Sequence, residues 1–230
     1  MTFPRQRIAI LISGRGSNMM SLVEAARAAE YPAEVVAVIA NRPDAAGIPW
    51  AAARGIATAI VDHTAYTGRA PFEAALDAAL AKIRPDFVCL AGFMRVLTAD
   101  FVGRWEGRLI NIHPSLLPSF KGLHTHQQAL AAGVRIAGCT VHFVVPEMDA
   151  GPIIAQAAVP VIPGDTADSL AARILLAEHK LYPHALGLVA TGHISMQDGQ
   201  AVVARGPAGL TLASVDNTGQ LYAPPLDNPT

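Results

Sequence analysis

The stretch that most constrains this chain is its opening. Arg7–Ile12 reads RIAILI, five apolar residues in a row after the arginine, and it runs straight into Ser13-Gly14-Arg15-Gly16-Ser17-Asn18. A short apolar run without alternation has no polar face, so it suits a strand covered on both sides, as in a parallel sheet. Parallel strands cannot be joined by a hairpin, so a crossover must follow each one. The sequence supplies them. Glu34–Asn41 (EVVAVIAN), Ala57–Val61, Phe87–Ala91 and Arg108–Ile112 read as further strands. Between them lie helical segments: one capped by Ser17 or Ser21 and running to about Glu30, then Ala46–Arg54, Thr98–Val102 and Gln127–Ala132. The clearest helix has Pro71 at its start and Pro85 after its end. There Phe72, Ala75, Leu76, Ala79, Leu80 and Ile83 form one face at a 3.6-residue period. Strand–helix alternation predicts an α/β fold, a mostly parallel twisted sheet with helices on both faces and ligands at the carboxyl ends of the strands.

Past Gly133 the pattern changes. Cys139–Val145 and Ile153–Val161 are both strand-like, and a long helix spans about Asp168 to Leu188. A hairpin is expected from His193–Met196 with Ala201–Val203, and the terminal LYAPPLDNPT is expected to fray. The predicted organisation is one domain over residues 1–190, with residues 191–230 a hairpin and tail packed on or trailing from it. Charged residues make up 15% of the chain and the net charge is -1. No cationic excess exists to neutralise a phosphate backbone, so nucleic acid is excluded as a partner. No stretch reaches the ~20 apolar residues of a membrane span, and no secretory leader is visible, so the cytoplasm is expected. Cys89 and Cys139 lie in apolar strands and read as buried free thiols of a reducing compartment.

The glycine loop invites comparison with a dinucleotide fingerprint, which it fails twice. Met19 stands where the third glycine belongs, and the second strand ends in Asn41-Arg42 rather than an acid for a ribose hydroxyl. A plain tight turn would use the same glycines. The strand–loop–helix context favours a single-phosphate site, with the helix N-terminus, the Ser17 hydroxyl and the Asn18 amide facing the anion.

The second concentration of polar residues follows the fifth strand, in Asn111-Ile112-His113-Pro114-Ser115. Asn111 and His113 are two apart, so both side chains point to one face of an extended segment. An amide donor beside an imidazole suits stabilisation of an oxyanion. Asp149 sits in a Gly- and Pro-containing loop, where Asp is commonly a turn residue. Its interest is that a carboxylate near His113 would favour the charged imidazole and help move protons. Glu178 shares a helix face with Ile174 and Leu181, an unfavourable place for a carboxylate unless it pairs with an Arg or recognises a substrate ammonium. His142 reads as a satisfied core histidine that could orient the Asp149 loop. His124 and His126 lack a third ligand at metal-site spacing, so no metal is expected.

Taken together, ILISGRGSN, ANRPDAAGI, LAGFMRVL, LINIHPSLLPSFKGLHTHQQAL, GCTVHFVVPEMDAGPIIAQ and AEHKLYP make the chain resemble the glycinamide ribonucleotide formyltransferases from about Arg7 to Leu186. The resemblance implies a Rossmann-like formyltransferase fold. It implies transfer of the formyl group of 10-formyltetrahydrofolate, a co-substrate, to the glycinamide amine of N1-(5-phosphoribosyl)glycinamide in purine biosynthesis. No metal and no nucleotide cofactor is implied. Asn111, His113 and Asp149 match the catalytic trio. Gly16, Ser17 and Asn18 match the substrate-phosphate loop, and Glu178 matches a substrate-contacting carboxylate. Met94, Arg95, Val96 and Leu97, with Val145, Pro146, Glu147, Met148, Asp149 and Asn111, match the folate pocket, and Arg69 a position near the folate tail. Arg15 occupies a variable position and receives no role.

Three other readings compete. Methionyl-tRNA formyltransferase and formyltetrahydrofolate hydrolase are similar around Asn111, His113 and Asp149. The first carries a further C-terminal domain and the second a regulatory N-terminal one; this sequence begins at its first strand and has only ~40 residues after its long helix, too few for a usual domain, so neither is expected. A non-catalytic nucleotide-binding regulator on the same fold would give no reason for Asn111 and His113. The expected partners are small molecules, and the chain is a monomer or a homodimer.

Overall fold

The computed structural model describes residues 4–204 and 214–226. The chain forms two compact units: residues up to 111 with 144–146, and residues 112–143 with 147 onward.

The first unit opens with β1 (Gln6–Ile12), α1 (Ser17–Ala25), β2 (Ala33–Ala40), α2 (Gly47–Ala52) and β3 (Ala57–Ile60). It continues with α3 (Arg69–Ile83), β4 (Phe87–Leu90), α4 (Ala99–Arg104) and β5 (Leu109–His113), whose last two residues belong to the second unit. The strands run parallel in the order β3-β2-β1-β4-β5. Ile8 to Ile12 are all fully buried, which is why β1 shows no polar alternation. Phe72, Leu76 and Leu80 of α3 pack with Leu11, Val88, Leu90, Phe101 and Leu109, while Ala75, Ala79 and Ile83 lie at the edge of the same cluster. Burial of each such large side chain stabilises the unit by roughly 1.5–3 kcal/mol.

Two expectations for this unit need correction. Neither Ser17 nor Ser21 caps α1. Gly16 is its N-cap, at φ 69°, and the Ser21 hydroxyl donates instead to the Asn18 carbonyl at 2.8 Å. The helix also ends at Ala25 rather than Glu30, because Arg27 and Ala28 donate three residues back, to Glu24 and Ala25, tightening the final turn. A buried acid escaped the sequence reading as well. Glu73, 2% exposed on α3, accepts from the Thr98 amide at 2.8 Å and from the Thr98 hydroxyl. That contact anchors the start of α4 and the segment leading into it.

The second unit contains α5 (Thr125–Ala131), β6 (Ile136–Phe143), β7 (Ile153–Pro160), α6 (Ala167–Ala190), β8 (Ile194–Gln197), β9 (Gln200–Val203), β10 (Ser214–Val215) and β11 (Leu221–Ala223). β6 and β7 are antiparallel, and β11 then β10 extend the sheet beyond β7. α6 opens with a capping box between Thr166 and Ser169. The predicted hairpin is present as β8 and β9. The tail is not frayed at its start. Leu221, Tyr222 and Ala223 pair with β7, and Tyr222 is fully buried with its hydroxyl donating to Gln220 Oε1 at 2.5 Å. One buried aromatic outweighs the turn-forming composition around it. Residues 227–230 of that tail lie outside the described residues. Cys89 and Cys139 are buried and free. Among the described residues no helix is long and apolar enough to cross a membrane.

Candidate active site

In the first unit the turn after β1 is held by backbone geometry. The Ser13 amide donates to the Gly92 carbonyl at 3.1 Å, and Ser13 Oγ accepts from the Met94 amide at 2.7 Å. A Cβ on Gly47 would come within 2.5 Å of Ile12 Cδ1 and 3.1 Å of the Arg15 carbonyl, so the loop rests directly on α2 backbone. Met19, fully buried, fills the space a third fingerprint glycine would leave open. The result is a cleft of about 400 Å³ lined by the whole of Ser13–Asn18 and by Asn41, Arg42, His63 and Arg95. Arg15 and Arg95 give it a cationic rim, Arg42 being ion-paired with Asp44 at 2.7 Å, and Ser17 and Asn18 at the start of α1 line it, a combination suited to a small anion. Asn41, Arg42 and His63 were not foreseen as lining. Their signal was faint, a polar strand end and a histidine just past the third strand.

In the second unit His113 and Asp149 meet. His113 Nδ1 lies 3.5 Å from Asp149 Oδ2, and both side chains are almost wholly buried. The other ring nitrogen, Nε2, is 3.0 Å from the Phe120 carbonyl, which only accepts, so Nε2 carries a hydrogen. The carbonyl fixes the ring and leaves Nδ1 toward the carboxylate. Asp149 is itself fixed. Its Oδ2 accepts from the Gly122 amide at 2.9 Å, its backbone adopts φ 50°, and Oδ1 lies 4.0 Å from His142 Nε2. The left-handed conformation of a non-glycine residue is strain held by its surroundings. His142 is buried and its Nδ1 donates to the Phe143 carbonyl at 2.9 Å. Burial lowers its pKa, against the opposing pull of that hydrogen bond and of Asp149. It is thus a core histidine that also borders Asp149.

The loop after His113 is braced from the strands. Thr140 Oγ1, fully buried on β6, donates to the Ser115 carbonyl at 2.7 Å and accepts from the Leu117 amide at 3.0 Å. Gln156 on β7 donates to the Leu117 carbonyl at 3.0 Å. Neither residue was picked out from sequence, because a lone Thr or Gln in an apolar strand carries no sign of a distant partner.

Glu178 is 6% exposed on α6, between buried Ile174 and Leu181, as its face predicted. It lies near enough to Cys139 that its charge adds to burial in pushing that thiol well above its usual range. The residues expected to hold folate divide by exposure. Met94 and Val96 are 68% and 53% exposed, large apolar groups left to solvent in the segment before α4. Leu97 is buried in the core of the first unit, and Arg69 is exposed at the first position of α3. Arg95 and Val145 are half-buried, and Pro146, Glu147 and Met148 are exposed. Asn111 lies on β5, opposite Leu90 of β4.

A parallel α/β unit with a cleft after its first strand, and a buried His–Asp contact made by the last residue of β5, are the two features that the relatives of this chain can be set beside. Residues 6–186 match the formyl transferase family, and the chain belongs to that family. It is 43% identical to phosphoribosylglycinamide formyltransferase of Escherichia coli (strain K12) over 194 residues, 84% of this chain and 92% of that protein. It is 50% identical to the trifunctional purine biosynthetic protein adenosine-3 of Bos taurus over 192 residues, and spans only 19% of that relative's length. The solved glycinamide ribonucleotide transformylase 1 from Symbiobacterium toebii superposes with a TM-score of 0.84 at 43% identity, over 87% of this chain and 95% of that one.

Proposed function

We propose that this chain transfers the formyl group of 10-formyltetrahydrofolate to the glycinamide amine of N1-(5-phosphoribosyl)glycinamide, giving the N-formyl product and tetrahydrofolate. The observation that carries the reading is the buried contact of His113 Nδ1 with Asp149 Oδ2 at 3.5 Å, in a chain of the formyl transferase family. Contacts of this kind are often long before substrate binds.

The amine attacks the formyl carbon and the carbonyl oxygen becomes an oxyanion. The Asn111 amide donates to it, and the His113 imidazole, on the same face of β5, stabilises the developing charge. As the intermediate collapses, the bond from carbon to the folate nitrogen breaks. That nitrogen gains a proton and the attacking amine loses one. Asp149, held by the Gly122 amide, takes up and returns the proton beside His113. The substrate phosphate occupies the loop of Gly16, Ser17 and Asn18, supported by the cationic rim of its cleft. Glu178 faces the ribonucleotide. Met94, Arg95, Val96, Leu97, Val145, Pro146, Glu147 and Met148 contact the folate, with Arg69 near its tail. Met94 and Val96, 68% and 53% exposed, leave apolar surface that a pterin ring could cover. The buried free thiols fit a reducing cytoplasm.

The test is a formyl-transfer assay with 10-formyltetrahydrofolate, the ribonucleotide, other amine acceptors and water alone. Formyl transfer to the ribonucleotide is expected, and His113→Ala should lower turnover by about 10²–10³ with folding intact. Formyl release to water at an undiminished rate without the amine would make the chain a hydrolase, and near-normal turnover of His113→Ala would remove His113 from the chemistry.

A further inference from the structure

The second unit holds another cavity, of about 130 Å³, which no step of the proposed reaction uses. Leu116, Phe120, Ala129, Val134, Gly138 and Ile174 supply its apolar wall. Thr125 also lines it, is 3% exposed, and its Oγ1 has no hydrogen-bond partner among the described residues. The Ser115 hydroxyl, on the same wall, is already committed to the Ser119 carbonyl at 2.6 Å. Among the described residues no charged side chain lines the space.

These facts select a ligand. A buried hydroxyl without a partner is costly, so an occupant that hydrogen-bonds to it is favoured. The space opens to solvent beside Ser119 and Ile136, both exposed, so an occupant competes with water for the Thr125 hydroxyl and gains from covering the apolar wall as well. A charged ligand would find no counter-charge. The volume is close to that of an apolar cavity of about 150 Å³ that stays dry and admits a single benzene ring. We propose that this cavity binds a neutral, single-ring organic molecule bearing one hydroxyl, phenol being the simplest, with its oxygen hydrogen-bonded to Thr125 Oγ1. Occupancy bears on His113, because Phe120 lines the cavity and its carbonyl holds His113 Nε2.

The experiment titrates phenol, and separately benzene, into the purified chain, with ligand-observed NMR and thermal unfolding as readouts. Saturable phenol binding with a rise in Tm is expected. Thr125→Val keeps the shape and removes the hydroxyl, so phenol should bind about tenfold more weakly while benzene is held as before. Ala129→Leu should fill the space and abolish both. The proposal is overturned if phenol shows no saturable binding, if Thr125→Val leaves its affinity unchanged, or if a folded Ala129→Leu still binds it. None of these readouts depends on formyl transfer, so they stand apart from the catalytic reading.

Discussion

Replacing Gly151 by Ala tests whether the Asp149 loop is positioned by backbone contact. Gly151 follows Asp149 by two residues, and a Cβ there would lie 1.8 Å from the Phe143 carbonyl oxygen and 2.9 Å from its carbon. Backbone cannot swing aside as a flexible side chain can, so strand or loop must move by more than 1 Å to restore contact distance. That carbonyl also accepts from His142 Nδ1 at 2.9 Å, and the Phe143 amide donates to the Pro152 carbonyl at 2.9 Å, so both bonds are disturbed together. Overpacking of this kind costs about 1–3 kcal/mol, which for a chain of this size lowers Tm by roughly 2–12 °C. The loss in catalysis should be larger in proportion. A misplacement of about 1 Å near reacting groups costs on the order of 10²-fold, and the moved residue neighbours the carboxylate beside His113. Gly103→Ala is the control. Nothing lies within 4 Å of its added Cβ, and within α4 it should raise stability by about 0.4–1 kcal/mol with turnover unchanged. Calorimetry and kcat/KM of the two variants, measured side by side, decide the matter. A Gly151→Ala protein that melts and turns over like the parent would show that the loop is not held by this approach.

Three further outcomes are expected. Glu178→Gln should weaken ribonucleotide binding more than folate binding in titration calorimetry, whereas equal losses would reduce Glu178 to a packing role. Thr166→Ala removes the capping box of α6 and should cost about 1 kcal/mol, read as a fall in Tm of roughly 2–4 °C; no change would mean the helix is held by its packing alone. His142 has a pKa lowered chiefly by burial, so below its ordinary value of 6.5 the unfolded chain takes up a proton that the native site refuses. Stability therefore falls as pH drops from about 6.5 toward the depressed value, and His142→Gln should flatten that part of the profile. Parallel profiles for the two proteins would refute the assignment.

What could be read in advance follows from where the information sits. Ile8–Ile12 declared a doubly covered strand because burial on both faces leaves a local mark, and Phe72, Leu76 and Leu80 did the same at helical period. Asn111 and His113 were legible as a pair because strand geometry fixes neighbours two apart. Features made by distant partners were not. The Thr140 brace joins β6 to the Ser115–Leu117 loop, and Glu73 reaches Thr98 across a whole strand. The Phe120 carbonyl that orients His113 is main chain and leaves no trace in residue type. Ser21 was misread as a cap because its alternative partner, the Asn18 carbonyl, is equally local. Tyr222 was misread because the prolines around it signal a turn more loudly than one aromatic signals a core.

The placement of β11 reaches beyond the site. Without it, β7 would offer a row of bare amides and carbonyls along its outer side, flanked by an apolar pleat, and such a border recruits strands from other molecules. Residues 221–223 close that border from within the same polypeptide, with Tyr222 as the peg and the Lys180–Asp216 ion pair at 2.8 Å fastening the preceding turn to α6. Removing residues 221–223 is therefore expected to bare the outer side of β7 to other molecules, a change that light scattering would read as self-association.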